Sequence, residues 1–240
     1  MQQLSYFELV GFGPNGWGWS LVQATGMTLA VALCGFLVGA VTGTFVAWAK
    51  LSSSRVARGL GDSYTTVLRG VPDLLVIYLF YFGGSAALGA IAGLFGTEGF
   101  IGVPAFATGA AAIGVVSGAY QAEVFRGAFQ VVSRGEIEAA KSVGMHRWLM
   151  FRRIIAPQVL RYAIPGLGNV WQLALKESAL ISVTGLVELL RQSHIAAGST
   201  RRPFDFYLTA AVLYLLITWI STILFQKAET YTMRGVRRAA

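Results

Sequence analysis

The chain has 240 residues, of which 55% are hydrophobic and only 12% charged, about half the charged share of a soluble domain. Its net charge of +8 is large enough for nucleic-acid binding, but the distribution excludes that use, because fifteen of the nineteen basic residues follow the first, third and fifth apolar runs. One cysteine, Cys34, precludes an intrachain disulfide and suggests no metal site.

The N-terminus, Met1 to Ser20, has no basic segment ahead of its apolar run and therefore predicts no cleavable signal peptide. From Leu9 to Ala49 there is no Asp, Glu, Lys or Arg, and a bilayer needs about 20 apolar residues. Span one is predicted over about Leu21 to Ala49. Gly35, Gly39 and Gly43 recur in it every fourth residue, a stripe that lets a second helix approach closely, in this chain or another. Span two is predicted over about Tyr64 to Phe82, with Asp73 near its start behind Pro72. Gly83 to Gly102, rich in Gly and Ala, is compatible with a short external or re-entrant helix. Span three is predicted over about Pro104 to Phe125 and carries Glu123 near its end.

The segment from Arg126 to Arg161 is long, basic and helix-prone. Glu136, Glu138, Ala139, Ala140 and Lys141 favour a helix, Gly144 interrupts it, and a second helix from His146 to Ile155 is expected to stop at Pro157. That second arm groups Trp148, Leu149, Phe151 and Ile155 away from Arg147, Arg152 and Arg153. Span four, about Ile164 to Thr184, contains Lys176 and Glu177, which point about 100° apart on a helix and so look toward different partners. An external loop with Glu188, Arg191, His194, Arg201, Arg202 and Asp205 leads to span five, about Phe206 to Phe225. Five spans with the basic loops on one side place the N-terminus outside and the C-terminus inside. Arg234, Arg237 and Arg238 add to the inner charge. All of this forms one transmembrane domain, 1–240.

Glu138-Ala139-Ala140, Gly144, Ile154 and Pro157 resemble the EAA loop of ABC importer permeases: Glu-Ala-Ala, three residues, Gly, nine residues, Ile, one residue, Leu-Pro. Ala156 replaces the usual Leu. The resemblance extends to Leu68-Arg69-Gly70-Val71-Pro72-Asp73-Leu74, to Gly118 through Ala128, and to Leu175-Lys176-Glu177-Ser178-Ala179-Leu180, which look like permeases for polar and basic amino acids. The pattern is nearest to the first of two paired permeases in histidine, lysine-arginine-ornithine and opine uptake. It implies an all-α type I importer permease in the bacterial inner membrane, with a coupling loop over about 133–157 whose short helix docks on a separate ATPase. It further implies a heterodimeric permease pair, an ATP-binding subunit dimer, a periplasmic binding protein that meets the external loop, and alternating access. ATP and Mg would belong to the ATPase, leaving this chain without a cofactor, metal or catalytic group of its own; no Gly-x-x-x-x-Gly-Lys-Ser/Thr loop is present.

Ionisable residues inside a membrane default to function. For an amino-acid cargo, Asp73 and Glu177 would accept its cationic groups and Lys176 would meet its carboxylate. Lys176 could equally hold helices together by pairing with Glu123 or Asp73, and Glu123 has Arg126 one turn away. A membrane enzyme is disfavoured because His146 and His194 fall on opposite sides. The alternatives are a secondary transporter, which usually has more spans and inverted repeats, and a membrane scaffold without transport activity.

Overall fold

The computed structural model describes residues 5–94 and 102–233; Arg234, Arg237 and Arg238 of the expected inner basic cluster lie outside them. Among the described residues the architecture is helical throughout. The helices are α1 (Tyr6–Val10), α2 (Gly18–Leu51), α3 (Arg55–Gly70), α4 (Asp73–Tyr78), α5 (Gly84–Gly93), α6 (Ala105–Val131), α7 (Arg134–Ser142), α8 (Arg147–Met150), α9 (Ala156–Ser178), α10 (Leu189–Thr200) and α11 (Pro203–Thr232). Wide π turns join α4 to α5 (Leu79–Gly83) and α8 to α9 (Phe151–Ile155), and α9 tightens into a 3-10 stretch over Ala179–Thr184.

Three described helical stretches are long and apolar enough to cross a membrane: Gly18–Leu51, Asp73–Ile91 and Pro203–Thr232. Their apolar side chains point outward, as with Leu37, Phe45, Leu79, Leu215 and Trp219, because lipid rather than water surrounds them. Helix α6 is as long but differently composed. It packs on α2, α3, α4 and α9, and small residues dominate its buried face, Gly109, Ala110, Ala112, Gly114, Ser117, Gly118, Ala119 and Ala122 beside the larger Ile113, Val116 and Gln121. A helix walled in by protein gains closeness from small residues and has less need of bulky apolar ones.

The longest seam in the molecule runs between α2 and α6, and the three-glycine stripe lies in it. A Cβ on Gly35 would fall 2.5 Å from the Ile113 side chain, on Gly39 2.1 Å from the Ser117 hydroxyl, and on Gly43 2.9 Å from both Gln121 and the Gly118 carbonyl. Gly114 and Gly118 reciprocate, since a Cβ on either would strike Val38 or Thr42. The neighbour left open by the sequence is therefore α6 of the same chain. Gln121, fully buried, ties the seam by donating to the Phe36 carbonyl at 2.9 Å.

Span two differs from expectation. Tyr64 to Gly70 belongs to α3, which folds back on α2 and α6 and is pinned by the Tyr64 hydroxyl donating to the Val115 carbonyl at 2.7 Å. The helix breaks because Pro72 has no N–H and forces Val71 into an extended conformation, φ −89°, ψ 136°. The apolar stretch then starts at Asp73 and runs through the π turn into α5, so Gly84–Gly93 continues that stretch rather than forming a separate external helix; residues 95–101 of the expected Gly83–Gly102 segment lie outside the described residues. Span four also shifts: α9 begins eight residues earlier than expected, at Ala156, with Pro165 inside it.

The core is built in layers along the helices. Leu9, Leu21, Leu189, Phe206 and Ala210 pack at one end, where α1, α2, α10 and α11 meet. Val31, Ile77, Ala110, Ile113, Ala174 and Ile181 fill the middle. Ala140, Met150 and Ile155 pack beneath the loop between α6 and α9.

Candidate functional site

The loop after α6 is organised by its own backbone. Helix α7 ends in a reverse turn in which the Gly144 N–H donates to the Lys141 carbonyl and the Met145 N–H to the Ala140 carbonyl, both at 3.0 Å. Gly144 takes φ +76°, the left-handed conformation in which a Cβ costs about 1–2 kcal/mol. His146 then caps α8, its Nδ1 accepting from the Leu149 N–H at 3.3 Å. Glu138 and Ala139 are exposed and Ala140 is buried against Met150 and Ile155, with Ile154 packed alongside. Gln158 binds the Glu136 carboxylate and so ties α7 to the base of α9.

Two details of this loop correct the sequence reading. Pro157 does not end the second arm: the π turn lets the helix pass into α9 with Pro157 in its first turn, where a missing N–H is harmless. Ile155 is buried, whereas Trp148 and Phe151 stack on each other at 5.9 Å on the exposed surface, so the four apolar residues do not form one group.

Glu123 belongs to an ion-pair network near the C-terminal end of α6. Its carboxylate binds the Lys50 ammonium and, at 2.8 Å, the Arg126 guanidinium. Lys50, almost fully buried, also reaches Asp62 at 2.9 Å and the Thr65 hydroxyl at 2.8 Å, joining α2, α3 and α6. A cavity of about 420 Å³ adjoins this network, lined by Lys50, Thr65, Thr66, Arg69, Gly70, Tyr120 and Glu123. Arg69 sits over the Tyr120 ring, 5.2 Å from its centroid.

Asp73 and Glu177 have other surroundings. Asp73 opens α4 just past the break at Pro72. Glu177 is 3% exposed near the end of α9, where the helix narrows to 3-10 geometry, and neither carboxylate oxygen has a hydrogen-bond partner among the described residues. The 3-10 stretch packs on α4, and Ile77 and Ala174, one turn from Asp73 and Glu177, share one core cluster, so the two carboxylates stand on neighbouring elements. Lys176 is exposed and forms no ion pair with Glu123 or Asp73, so the structural pairing considered for it is not made.

The loop expected on the outer side also divides. Glu188 is fully buried, accepting from the backbone N–H groups of Leu190 at 2.8 Å and Arg191 at 2.7 Å and from the Tyr214 hydroxyl at 3.0 Å. Its role there is to cap α10 and fasten it to α11. His194 pairs with Tyr207 at 2.8 Å and Arg202 with Asp205 at 2.6 Å. Three residues have roles that the sequence did not assign: Gly114 and Gly118, whose four-residue spacing was visible but was not read as a packing face, and Lys50, whose burial and pairing were not visible.

Long helices with outward-facing apolar side chains, a tight glycine-lined seam between α2 and α6 and a helical loop after α6 together define a polytopic membrane protein. The sequence comparisons agree: residues 35–235 match the family described as binding-protein-dependent transport system inner membrane component. This chain belongs to that family. It is 59% identical over 98% of its length to the octopine transport system permease protein OccQ of Rhizobium radiobacter, covering 99% of that protein. It is 37% identical over 93% of its length to the histidine/lysine/arginine/ornithine transport system permease protein HisQ of Escherichia coli K12, covering 98% of that protein. A crystal structure of an amino acid ABC transporter superposes with a TM-score of 0.74 at 33% identity, over 90% of this chain and 95% of that one. The inward-facing methionine transporter MetNI, at 16% identity and a TM-score of 0.69 over 91% of this chain and 98% of that one, shares the fold. The chain thus has the type I ABC importer permease fold and is an inner-membrane transport component.

Proposed function

We propose that this chain carries amino acids with a cationic side chain, or opines built from them, across the bacterial inner membrane as one half of a heterodimeric permease. The observation that carries this reading is Glu177: a buried carboxylate without a partner, beside Asp73, at the point where two helices break. A buried carboxylate without a partner is costly to ionise, and a cargo ammonium or guanidinium would relieve that cost. The relatives named for octopine and for histidine, lysine, arginine and ornithine support the same cargo class. Lys176 and Glu123 are the remaining charged candidates; Glu123, already committed to Lys50 and Arg126, is better placed to hold the helices than to bind cargo.

In this reading α6 and α9 complete a set of five spans, with the N-terminus outside and the C-terminus inside, and residues 1–240 act as one transmembrane domain. Residues 133–157 form the coupling loop. Glu138, Ala139 and the Gly144 turn face a dimeric ATPase, while Ala140, Ile154 and Pro157 hold the turn on the end of α9. ATP and Mg act on that partner, and this chain supplies no cofactor. A periplasmic binding protein delivers cargo to the outer surface near α10, and ATP-driven closure of the ATPase moves the docking helix as a rigid body.

The test is co-purification of the complex followed by measurement of ATPase stimulation with a panel of amino acids and opines. Arginine, histidine, lysine, ornithine or octopine is expected to stimulate hydrolysis, and the chain alone is expected to hydrolyse no ATP. Stimulation by neutral or acidic amino acids only would overturn the assignment.

A further inference from the structure

We infer that the cavity beneath Arg69 is a receptor for a carboxylate of the cargo, a second station distinct from the Asp73–Glu177 pair; the inference rests on the cargo class proposed above. Charge balance carries it first. Around the cavity, Lys50 and Arg126 are neutralised by Asp62 and Glu123, whereas Arg69, exposed at the cavity mouth, has no carboxylate within ion-pair distance among the described residues and lies over the Tyr120 ring. The site therefore has one surplus cation. A guanidinium resting on an aromatic face keeps its planar fork of donors, and that fork matches a carboxylate. Thr66 adds a hydroxyl to the wall, and about 420 Å³ is room for an amino acid.

Position carries it second. Arg69 and Asp73 flank the Val71–Pro72 break, so cation and anion stand on either side of one interruption in the helix. Tyr120 lies seven residues beyond Ile113, about 10 Å further along α6, and Ile113 packs with Ile77 and Ala174, the residues one turn from Asp73 and Glu177. The two stations are thus offset along the direction of passage. Arginine carries its cation and its carboxylate at opposite ends of an extended chain, and octopine adds a second carboxylate. Arg69 would hold the carboxylate end while the Asp73–Glu177 pair holds the cation, or would receive it as the cargo moves inward. Lys176, exposed on α9 and absent from the cavity wall, does not serve this station.

The complex of this chain with its partner permease and ATPase, in nanodiscs without the binding protein, would be titrated with arginine, octopine and agmatine, which is arginine without its carboxylate. Arg69→Gln is expected to raise the Kd for arginine and octopine about tenfold or more and to leave agmatine unchanged, with Arg69→Lys recovering part of the loss. Equal weakening of all three ligands would show a structural role and overturn the inference. So would unchanged binding of all three, or an effect of Arg69→Gln that appears only when anionic lipid is varied, which would make the occupant a headgroup. A wild-type complex that binds none of the three would overturn the cargo assignment and the inference together; binding by the wild type with no change in Arg69→Gln would overturn the inference alone.

Discussion

Two glutamates lie inside long helices of this permease, and their surroundings are opposite. Glu123 on α6 is held by Lys50 and Arg126, with Asp62 and Thr65 completing a network that crosses three helices. Glu177 on α9 is more deeply buried and, among the described residues, has no hydrogen-bond partner for either oxygen. The difference separates architecture from transport. A charge whose needs are met inside the chain contributes to holding helices together, while a charge left unmet inside the fold is available to something that arrives and leaves.

Four substitutions, one of them made on top of another, would break or sharpen that contrast. The largest effect is expected from Glu177→Gln, which removes the negative charge and keeps the shape: uptake of a cationic amino acid in proteoliposomes should fall by about 10–100-fold, with the melting temperature of the complex unchanged or raised. Unimpaired uptake would place the cargo site elsewhere. Lys50→Met leaves Glu123 without its buried partner and should destabilise the subunit by about 2 kcal/mol, at the lower end for broken ion pairs because Glu123 is partly solvated. Adding Glu123→Leu should restore part of that loss in a denaturation series, and full additivity of the two changes would show that they do not act as a pair. The smallest effect, about 0.5 kcal/mol, is expected from Arg126→Gln, which removes a partly exposed pair at i,i+3. A loss as large as that of Lys50→Met would mean that Arg126, and not Lys50, anchors the network.

Much of the loop between α6 and α9 was legible in the sequence because its geometry is local. Gly144 marked the reverse turn, and the run from Glu136 to Lys141 marked the helix before it. Pro157 misled, since a proline reads alike at the end of one helix and in the first turn of another; the π turn that decides between them leaves no plain mark in composition. The break at Val71–Pro72 could have been read from the proline, but the charge-free stretch after it drew the span boundary across it. Glu188 read as one more charge in an external loop, although its side chain is enclosed by α2, α10 and α11. Gly35, Gly39 and Gly43 announced a close neighbour without naming it, because spacing fixes a face of a helix and not what lies against it.

What the sequence determined by itself was the solvent of each region and the place of one local turn: charge-free runs require lipid, and Gly144 marks where α7 ends, a position that the fold holds at φ +76°. What only the tertiary structure decided was which charges meet. Lys50 and Glu123 are 73 positions apart, and Asp73 and Glu177 more than a hundred. Whether each finds a counter-ion depends on how α2, α3, α6 and α9 pack, and no local pattern encodes that. The separation of Glu123 from Glu177, and with it the candidate route for cargo, follows from packing because electrostatic neutralisation acts through space and not along the chain.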